Sequence, residues 1–109
     1  MAKKLLIDLD GVLNRYCGEY KEDYIPPILP GAKEFLAKLS EKYEVKIFST
    51  RASNLVQEWV YCNNLEKYVS DITNIKEPAW AYLDDRCVCF NGNFEDAVYS
   101  IENMKPWWK

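Results

Sequence analysis

The sequence predicts one α/β domain with a mostly parallel sheet of about five strands. Short apolar runs of strand length alternate with stretches in which apolar residues recur at the spacing of one helix face. Strands that alternate with helices pair in parallel through right-handed crossovers. The 109 residues, 49% of them hydrophobic, are enough for one core and too few for two domains.

The first predicted strand covers residues 4–9, an apolar run of the kind that is buried on both faces of a sheet. Residues 11–31 follow as an irregular segment, because glycines and prolines interrupt any regular pattern. After Pro30 and Gly31, a helix is predicted to about Tyr43, with Ala32, Phe35, Leu36 and Leu39 on one face.

The middle of the chain continues the alternation. Val45–Phe48 is predicted as the second strand, and an amphipathic helix is predicted from Ala52 to about Asn63. Tyr68–Thr73 is predicted as the third strand and Trp80–Leu83 as the fourth.

A fifth strand is predicted at Arg86–Phe90, where Cys87 and Cys89 alternate with a valine and are expected to pack inside. A last helix is predicted after Asn93, a residue that caps helices, with Asp96 at the capping-box position. Its expected apolar face consists of Phe94, Ala97, Val98 and Ile101.

Composition excludes several classes of function. The chain has no histidine, so Ser–His and Cys–His catalysis are excluded, and carboxylates, Lys, Tyr or Cys must carry acid–base chemistry. A net charge of −3 argues against sequence-specific nucleic-acid binding. No apolar run is long enough to span a membrane, and Asp8 interrupts the only apolar stretch near the start. The sequence therefore predicts a cytoplasmic protein.

Polar side chains follow the ends of the predicted strands. They are Asp8 and Asp10, then Ser49, Thr50 and Arg51, then Lys76 before the fourth strand, and finally Asp84, Asp85 and Arg86. Ligands of open parallel sheets bind beyond the carboxyl ends of the strands. Asp8 and Asp10 point the same way on a strand and repel each other unless a cation lies between them or one is protonated. This arrangement predicts a metal-assisted reaction in which one aspartate attacks and the other moves a proton.

The polar residues at these strand ends, with their neighbours, resemble the four motifs of the haloacid dehalogenase superfamily of phosphohydrolases. Residues 7–12 (Ile-Asp-Leu-Asp-Gly-Val) resemble the first motif, residues 47–51 the second, Lys76 the third, and Leu83–Asp85 the fourth. The resemblance extends from residue 4 to about residue 90. It implies a three-layer, Rossmann-like sandwich of the small type without a cap domain, in which residues 11–29 form a helical turn and a hairpin flap.

The resemblance also implies chemical roles. Asp8 would be the nucleophile that forms an aspartyl-phosphate, and Asp10 the general acid and base. Mg²⁺ would be held by Asp8, by the backbone carbonyl of Asp10, and by Asp84 and Asp85. One of Asp84 and Asp85 would bind the ion directly, and the other would hold it through water or pair with Arg86 or Lys76.

The remaining predicted residues would bind the phosphoryl group. Ser49 would donate a hydrogen bond to it, and Thr50 and the amides of the following helix would assist. Lys76 would offset the negative charge of the phosphoryl group. In larger relatives the corresponding lysine begins a helix, but only seven residues separate Lys76 from Asp84 here, so no full helix fits between them. For Arg51 the sequence leaves two roles equally open, which are binding of substrate phosphate and a position on the protein surface without a role in the site.

Three alternatives remain beside a phosphatase for small phosphate esters or phosphorylated polymer ends. The first is a catalytically weak module that binds a phosphorylated partner. The second is a phosphoryl-receiver-like domain, against which the Asp8-x-Asp10 spacing on the opening strand argues. The third is a dehalogenase, in which Asp10 would be idle.

Aromatic residues at two places have no assigned chemistry. Tyr16, Tyr20 and Tyr24 in the flap are expected to pin it to the core, or to stack on a sugar or base. Trp107 and Trp108 near the end of the chain are expected to cover the sheet edge or a partner chain, which allows an oligomer.

Overall fold

The computed structural model describes residues 2–109, which form an α/β fold around a four-stranded, all-parallel sheet. The elements are β1 (Lys3–Asp8), α1 (Ala32–Ser40), β2 (Tyr43–Phe48), α2 (Ser53–Cys62), β3 (Asp71–Thr73), β4 (Ala81–Leu83) and α3 (Phe94–Glu102). The strand order is β3-β2-β1-β4. The parallel α/β prediction is therefore confirmed, with four strands in place of about five.

Strand β1 lies inside the sheet, between β2 and β4. Ile7 is opposite Ile47 of β2 and Leu83 of β4, and Asp8 is opposite Phe48. The carboxyl ends of the three strands consequently meet at one edge. This register brings the residues that follow β1, β2 and β4 together.

The hydrophobic core lies on one face of the sheet. Alternate residues of β1 and β2 point into it and meet the apolar sides of α1 and α2. Its buried members include Leu5, Ile7, Leu9, Val45, Ile47, Leu36, Val56, Trp59 and Val60. Burial of this set stabilises the sheet whose edge carries the site.

The predicted fifth strand at Arg86–Phe90 does not form. The backbone N–H of Arg86 donates to Asp84 Oδ1 at 2.8 Å, a turn that bends the chain immediately after β4. Cys87 and Cys89 are exposed, so their expected packing in a strand is wrong as well. The third strand is also shorter than predicted, since pairing as a strand begins at Asp71.

Helix α3 has the predicted cap, because the Asn93 side chain accepts a hydrogen bond from the Asp96 N–H at 3.0 Å. Its predicted apolar face is nevertheless largely in solvent, with Phe94 78% exposed and Ile101 64% exposed. Within residues 2–109, no Cα atom of α3 lies within 8 Å of another helix or strand. The expected third layer is thus not formed by a packed helix.

Charged side chains explain part of this difference. On the second face of the sheet, Lys4 and Lys46 both form ion pairs with Glu77, at 2.8 and 2.9 Å. An apolar helix would have to desolvate these groups in order to pack there.

The segment after β1 forms a helical turn and then a hairpin-like excursion. The Leu13 N–H donates to the Leu9 carbonyl at 3.0 Å, which closes the turn. Antiparallel bridges then join Asn14 to Ile28 and Lys21 to Tyr24. We call residues 14–28 the flap.

Within residues 2–109, no helix is both long and apolar enough to cross a lipid bilayer.

Candidate active site

Three carboxylates converge at the carboxyl edge of the sheet. One oxygen from each of Asp8, Asp84 and Asp85 lies within 4.8 Å of the other two, and all three residues are half-buried. Asp8 ends β1, whereas Asp84 and Asp85 follow β4, and these strands are neighbours. The parallel register therefore brings the three acids together.

The Asp8 carboxyl group is strongly perturbed by its surroundings. Burial, followed by the nearby charges of Asp84, Asp85 and Asp10 and a hydrogen bond with Asp85, raises the pKa of Asp8 from 3.8 to about 8. Adjacent acids without a counter-charge resist ionising together. A divalent cation that prefers oxygen ligands, such as Mg²⁺, fits this donor set because it would relieve the repulsion.

The raised pKa of Asp8 predicts an unusual pH dependence of stability. The folded state binds this proton more tightly than the unfolded chain, so in EDTA stability should fall as pH rises from about 4 to 8. After allowance for solvent screening, we expect a loss on the order of 2 kcal/mol at pH 7. Urea unfolding across this pH range measures it. Asp8→Asn should flatten the profile, and an equally steep decline in that variant would contradict the assignment.

The Asp10 side chain is held apart from this cluster by Arg51. Arg51 Nε donates to Asp10 Oδ2 at 2.8 Å and Nη2 donates to Oδ1 at 3.2 Å. Arg51 Nη1 also donates to the Lys21 carbonyl of the flap at 2.8 Å, and its guanidinium lies 4.6 Å from the Tyr20 ring centroid.

These contacts change the interpretation of Arg51. Its side chain is only 1% exposed, and three of its five N–H groups donate to Asp10 and to the Lys21 carbonyl. Its contacts orient Asp10 and join it to the flap. Arg51 also lines the cavity that Ser49 and Thr50 line, so its phosphate-binding role stays a prediction.

Asn14 is a site residue that sequence reasoning missed. It is fully buried, its Nδ2 donates to Asp10 Oδ1 at 3.0 Å, and its Oδ1 accepts from the N–H groups of Gly11 and Tyr16. The sequence offered one signal for this role, which is an amide side chain directly after the apolar pair Val12–Leu13. Its contacts fix the loop that carries Asp10.

Ser49 and Thr50 lie at the end of β2, beside the first turn of α2. Ser49 is 5% exposed, and its Oγ accepts from the Arg51 N–H at 3.1 Å, which leaves its own O–H free to donate. Thr50 is exposed. Both line a cavity of about 400 Å³ in front of α2, whose cap residue Ala52 provides no side-chain hydrogen bond.

Lys76 lines a second cavity, of about 350 Å³, together with Asp8 and Asp84. Its ammonium lies 4.9 Å from the centroid of the Tyr82 ring. Across residues 2–109, Lys76 forms no ion pair within 4.0 Å. Lys76 thus borders the carboxylate cluster without contacting it.

Glu77 anchors the loop that carries Lys76. Hydrogen bonds from Lys4 and Lys46 lower the pKa of Glu77 to about 2. We expect Glu77→Gln to lower the unfolding midpoint above pH 5, and this difference to vanish as pH falls toward 2 and Glu77 is protonated. Thermal unfolding at several pH values measures both effects. A pH-independent difference would show that the ion pairs are not its source.

The C-terminal tryptophans contact the site, and their expected contact with a partner chain stays a prediction. Trp107 Nε1 donates to the Gly11 carbonyl at 2.6 Å, and Trp108 Nε1 donates to Asp85 Oδ2 at 2.5 Å. Of the flap tyrosines, Tyr20 is 54% exposed, whereas Tyr16 packs edge-on against the Trp108 ring.

Comparison with known proteins adds evidence on the fold. No protein-family model matches the chain, and no curated protein matches it. Among solved structures, it is similar to a conserved protein from Bacteroides thetaiotaomicron, with 21% identity and a TM-score of 0.61, over 98% of this chain and 95% of that one. This likeness supports the α/β fold over nearly the whole chain.

Proposed function

We propose that the protein is a Mg²⁺-dependent phosphatase that hydrolyses phosphate monoesters through an aspartyl-phosphate on Asp8. The observation that carries this proposal is the convergence of Asp8, Asp84 and Asp85 within 4.8 Å. The resemblance of residues 4 to about 90 to haloacid dehalogenase phosphohydrolases supports the same reaction. The physiological location that the sequence predicts for this enzyme is the cytoplasm.

Asp8, Asp84 and Asp85 would hold the cation, with the Asp10 backbone carbonyl as a further ligand by resemblance. When bound, Mg²⁺ supplies positive charge that keeps Asp8 ionised and neutralises the phosphate oxygens. Asp8 attacks phosphorus, so that a bond from its carboxylate oxygen to phosphorus forms while the bond from phosphorus to the leaving oxygen breaks.

Asp10 would then serve both half-reactions. It donates a proton to the leaving alkoxide and later takes one from the water that attacks phosphorus and frees Asp8. Arg51 and Asn14 hold the Asp10 carboxylate at 2.8 and 3.0 Å, and so orient it. We expect Asp10→Asn to slow turnover by roughly 10²–10⁴-fold.

Steady-state kinetics with an aryl phosphate measures the effect of Asp10→Asn. Circular dichroism serves as the control for folding. Nearly full turnover in this variant would reject Asp10 as the proton carrier.

The phosphoryl group would be bound by Ser49, by Lys76 and by the amides at the start of α2. The Ser49 O–H is free to donate, and the first N–H groups of a helix attract anions. Thr50 lines the same cavity as Ser49. The substrate class is a small phosphate ester or the phosphorylated end of a polymer, because the proposed binding groups would contact the phosphate and none is assigned to the rest of the substrate.

Metal dependence is the first test of this proposal. Hydrolysis of p-nitrophenyl phosphate should be lost in EDTA and restored by excess Mg²⁺, since phosphate charge and the acid cluster both need a cation. Ca²⁺, which accepts looser geometry than Mg²⁺, is the matched ion control. Equal activity with and without chelator would contradict the proposal.

The Asp10–Arg51 pair favours a second candidate, a phosphoryl-accepting or phosphate-binding module with little turnover. An Asp10 carboxylate tied to Arg51 would be slow to activate water. Acid quenching after exposure to acetyl phosphate separates the candidates. A long-lived phosphorylated protein, or phosphate binding without turnover, favours the module, whereas steady phosphate release favours the phosphatase.

A further inference from the structure

Trp108 contacts a carboxylate of the site that is far from it in sequence. Its indole N–H donates to Asp85 Oδ2 at 2.5 Å, although 23 positions separate the two residues. Pro106, just before the tryptophan pair, is buried. Trp108 is therefore held against the site, while the preceding helix α3 packs on no other helix or strand of residues 2–109.

The Trp108 ring is surrounded on several sides. The Tyr16 ring meets it edge-on, with centroids 5.6 Å apart, and the Arg86 guanidinium lies 5.1 Å from its centroid. A methyl group added at Gly18 would lie 3.5 Å from the ring, so the backbone of the flap is also close. The ring thus lies between the flap and the segment after β4, and these contacts restrict the directions that its N–H can take.

We infer that Trp108 is a positioning residue for the cation site, whose indole N–H holds the Asp85 carboxylate toward Asp8 and Asp84. This inference rests on the proposed Mg²⁺ site. A hydrogen bond at one carboxylate oxygen restricts rotation of the group and leaves the other oxygen available as a ligand. Residues that fix a metal ligand in this way typically change metal affinity by 10–100-fold.

Trp108→Phe isolates the hydrogen bond, because it retains a ring beside Tyr16 and Arg86 and removes the N–H donor. Calorimetric titration with Mn²⁺, which needs no substrate, should give a Kd about tenfold weaker than that of the wild type. Trp80→Phe is the matched control. Trp80 is 62% exposed and precedes β4, at the opposite end of the strand from the site. The Kd of Trp80→Phe for Mn²⁺ should therefore equal that of the wild type.

Tryptophan emission supplies a second readout. Mn²⁺ should quench the emission of the wild type and of Trp80→Phe at the concentrations that fill the site. In Trp108→Phe the quench should be smaller and should need higher Mn²⁺ concentrations, because the indole beside Asp85 is gone and the Kd is weaker, whereas Trp107 still lies at the site. The concentration of half-maximal quench reports the metal affinity, which a purely structural contribution of Trp108 would not change.

The wild-type protein also provides a test that needs no variant. In a ¹H–¹⁵N spectrum, the indole N–H assigned through its contacts with Tyr16 should exchange slowly and shift on addition of Mg²⁺. Rapid exchange without a shift would overturn the inference, even if Trp108→Phe fails to fold.

The outcomes separate the inference from the proposed function. Equal Mn²⁺ affinity in the wild type and Trp108→Phe overturns the positioning role and leaves the phosphatase proposal intact. Absence of Mn²⁺ and Mg²⁺ binding by the wild type overturns both. A weaker Kd in Trp108→Phe alone, with an unchanged unfolding midpoint, supports the positioning role.

Discussion

Asp8→Asn should remove phosphatase activity while leaving the fold intact. The amide cannot attack phosphorus, so we expect turnover of p-nitrophenyl phosphate to fall by at least about 10⁴-fold. The metal-free variant should also be more stable than the wild type at pH 7, because the half-buried carboxyl group with its pKa of about 8 is gone. Loss of activity together with gained stability distinguishes removal of a nucleophile from general damage.

Asp23→Asn is the matched control for the loss of one negative charge. Asp23 is exposed in the flap turn, and we expect its replacement to leave turnover and stability close to wild type. Rapid acid quenching with labelled substrate should trap phosphate on the wild type and not on Asp8→Asn. Label retained in Asp8→Asn would assign the nucleophile to another residue.

Gly11→Ala should disrupt the site through crowding. Gly11 has φ +82°, a conformation that side-chain-bearing residues rarely adopt, and its new methyl group would overlap Asp85 Oδ2 and lie 2.9 Å from Trp108 Nε1. We expect about 1–3 kcal/mol of destabilisation. Displacement of Asp85 should reduce turnover by about 100-fold or more, which steady-state kinetics measures.

Gly92→Ala separates the backbone cost from the crowding. Gly92 has φ +97°, and an added methyl group would meet no atom within 4 Å in the part of the chain that the structure describes. This control should lose stability and retain turnover. Comparable loss of turnover in both variants would contradict the view that Gly11 is needed for the approach of Asp85.

Local patterns in the sequence were sufficient for the elements that position the carboxylates. The apolar run before Asp8 predicted the inner strand β1, and Asn93 predicted the cap of α3. The alternation of strands and helices predicted parallel pairing, which aligns the end of β1 with that of β4. These features depend on neighbouring residues and on the general geometry of parallel sheets.

Features that depend on distant contacts could not be predicted in this way. Cys87 and Cys89 alternate as in a strand, yet the turn at Asp84 directs the chain away from the sheet. The position of Trp108 depends on Asp85 and Tyr16, which no local pattern connects to it.

The same limit applies to Arg51. Its burial follows from Asp10 and Lys21, 41 and 30 positions away, so its residue type alone could not distinguish phosphate binding from an internal ion pair.

A crystal structure of the protein with Mn²⁺ and beryllium trifluoride, a phosphoryl mimic, would reveal whether the three carboxylates share one ion. We expect one anomalous peak between the carboxylates of Asp8 and the Asp84–Asp85 pair, with the mimic bonded to an Asp8 oxygen. Carboxylates that turn away from one another, with no ion between them at saturating Mn²⁺, would contradict it.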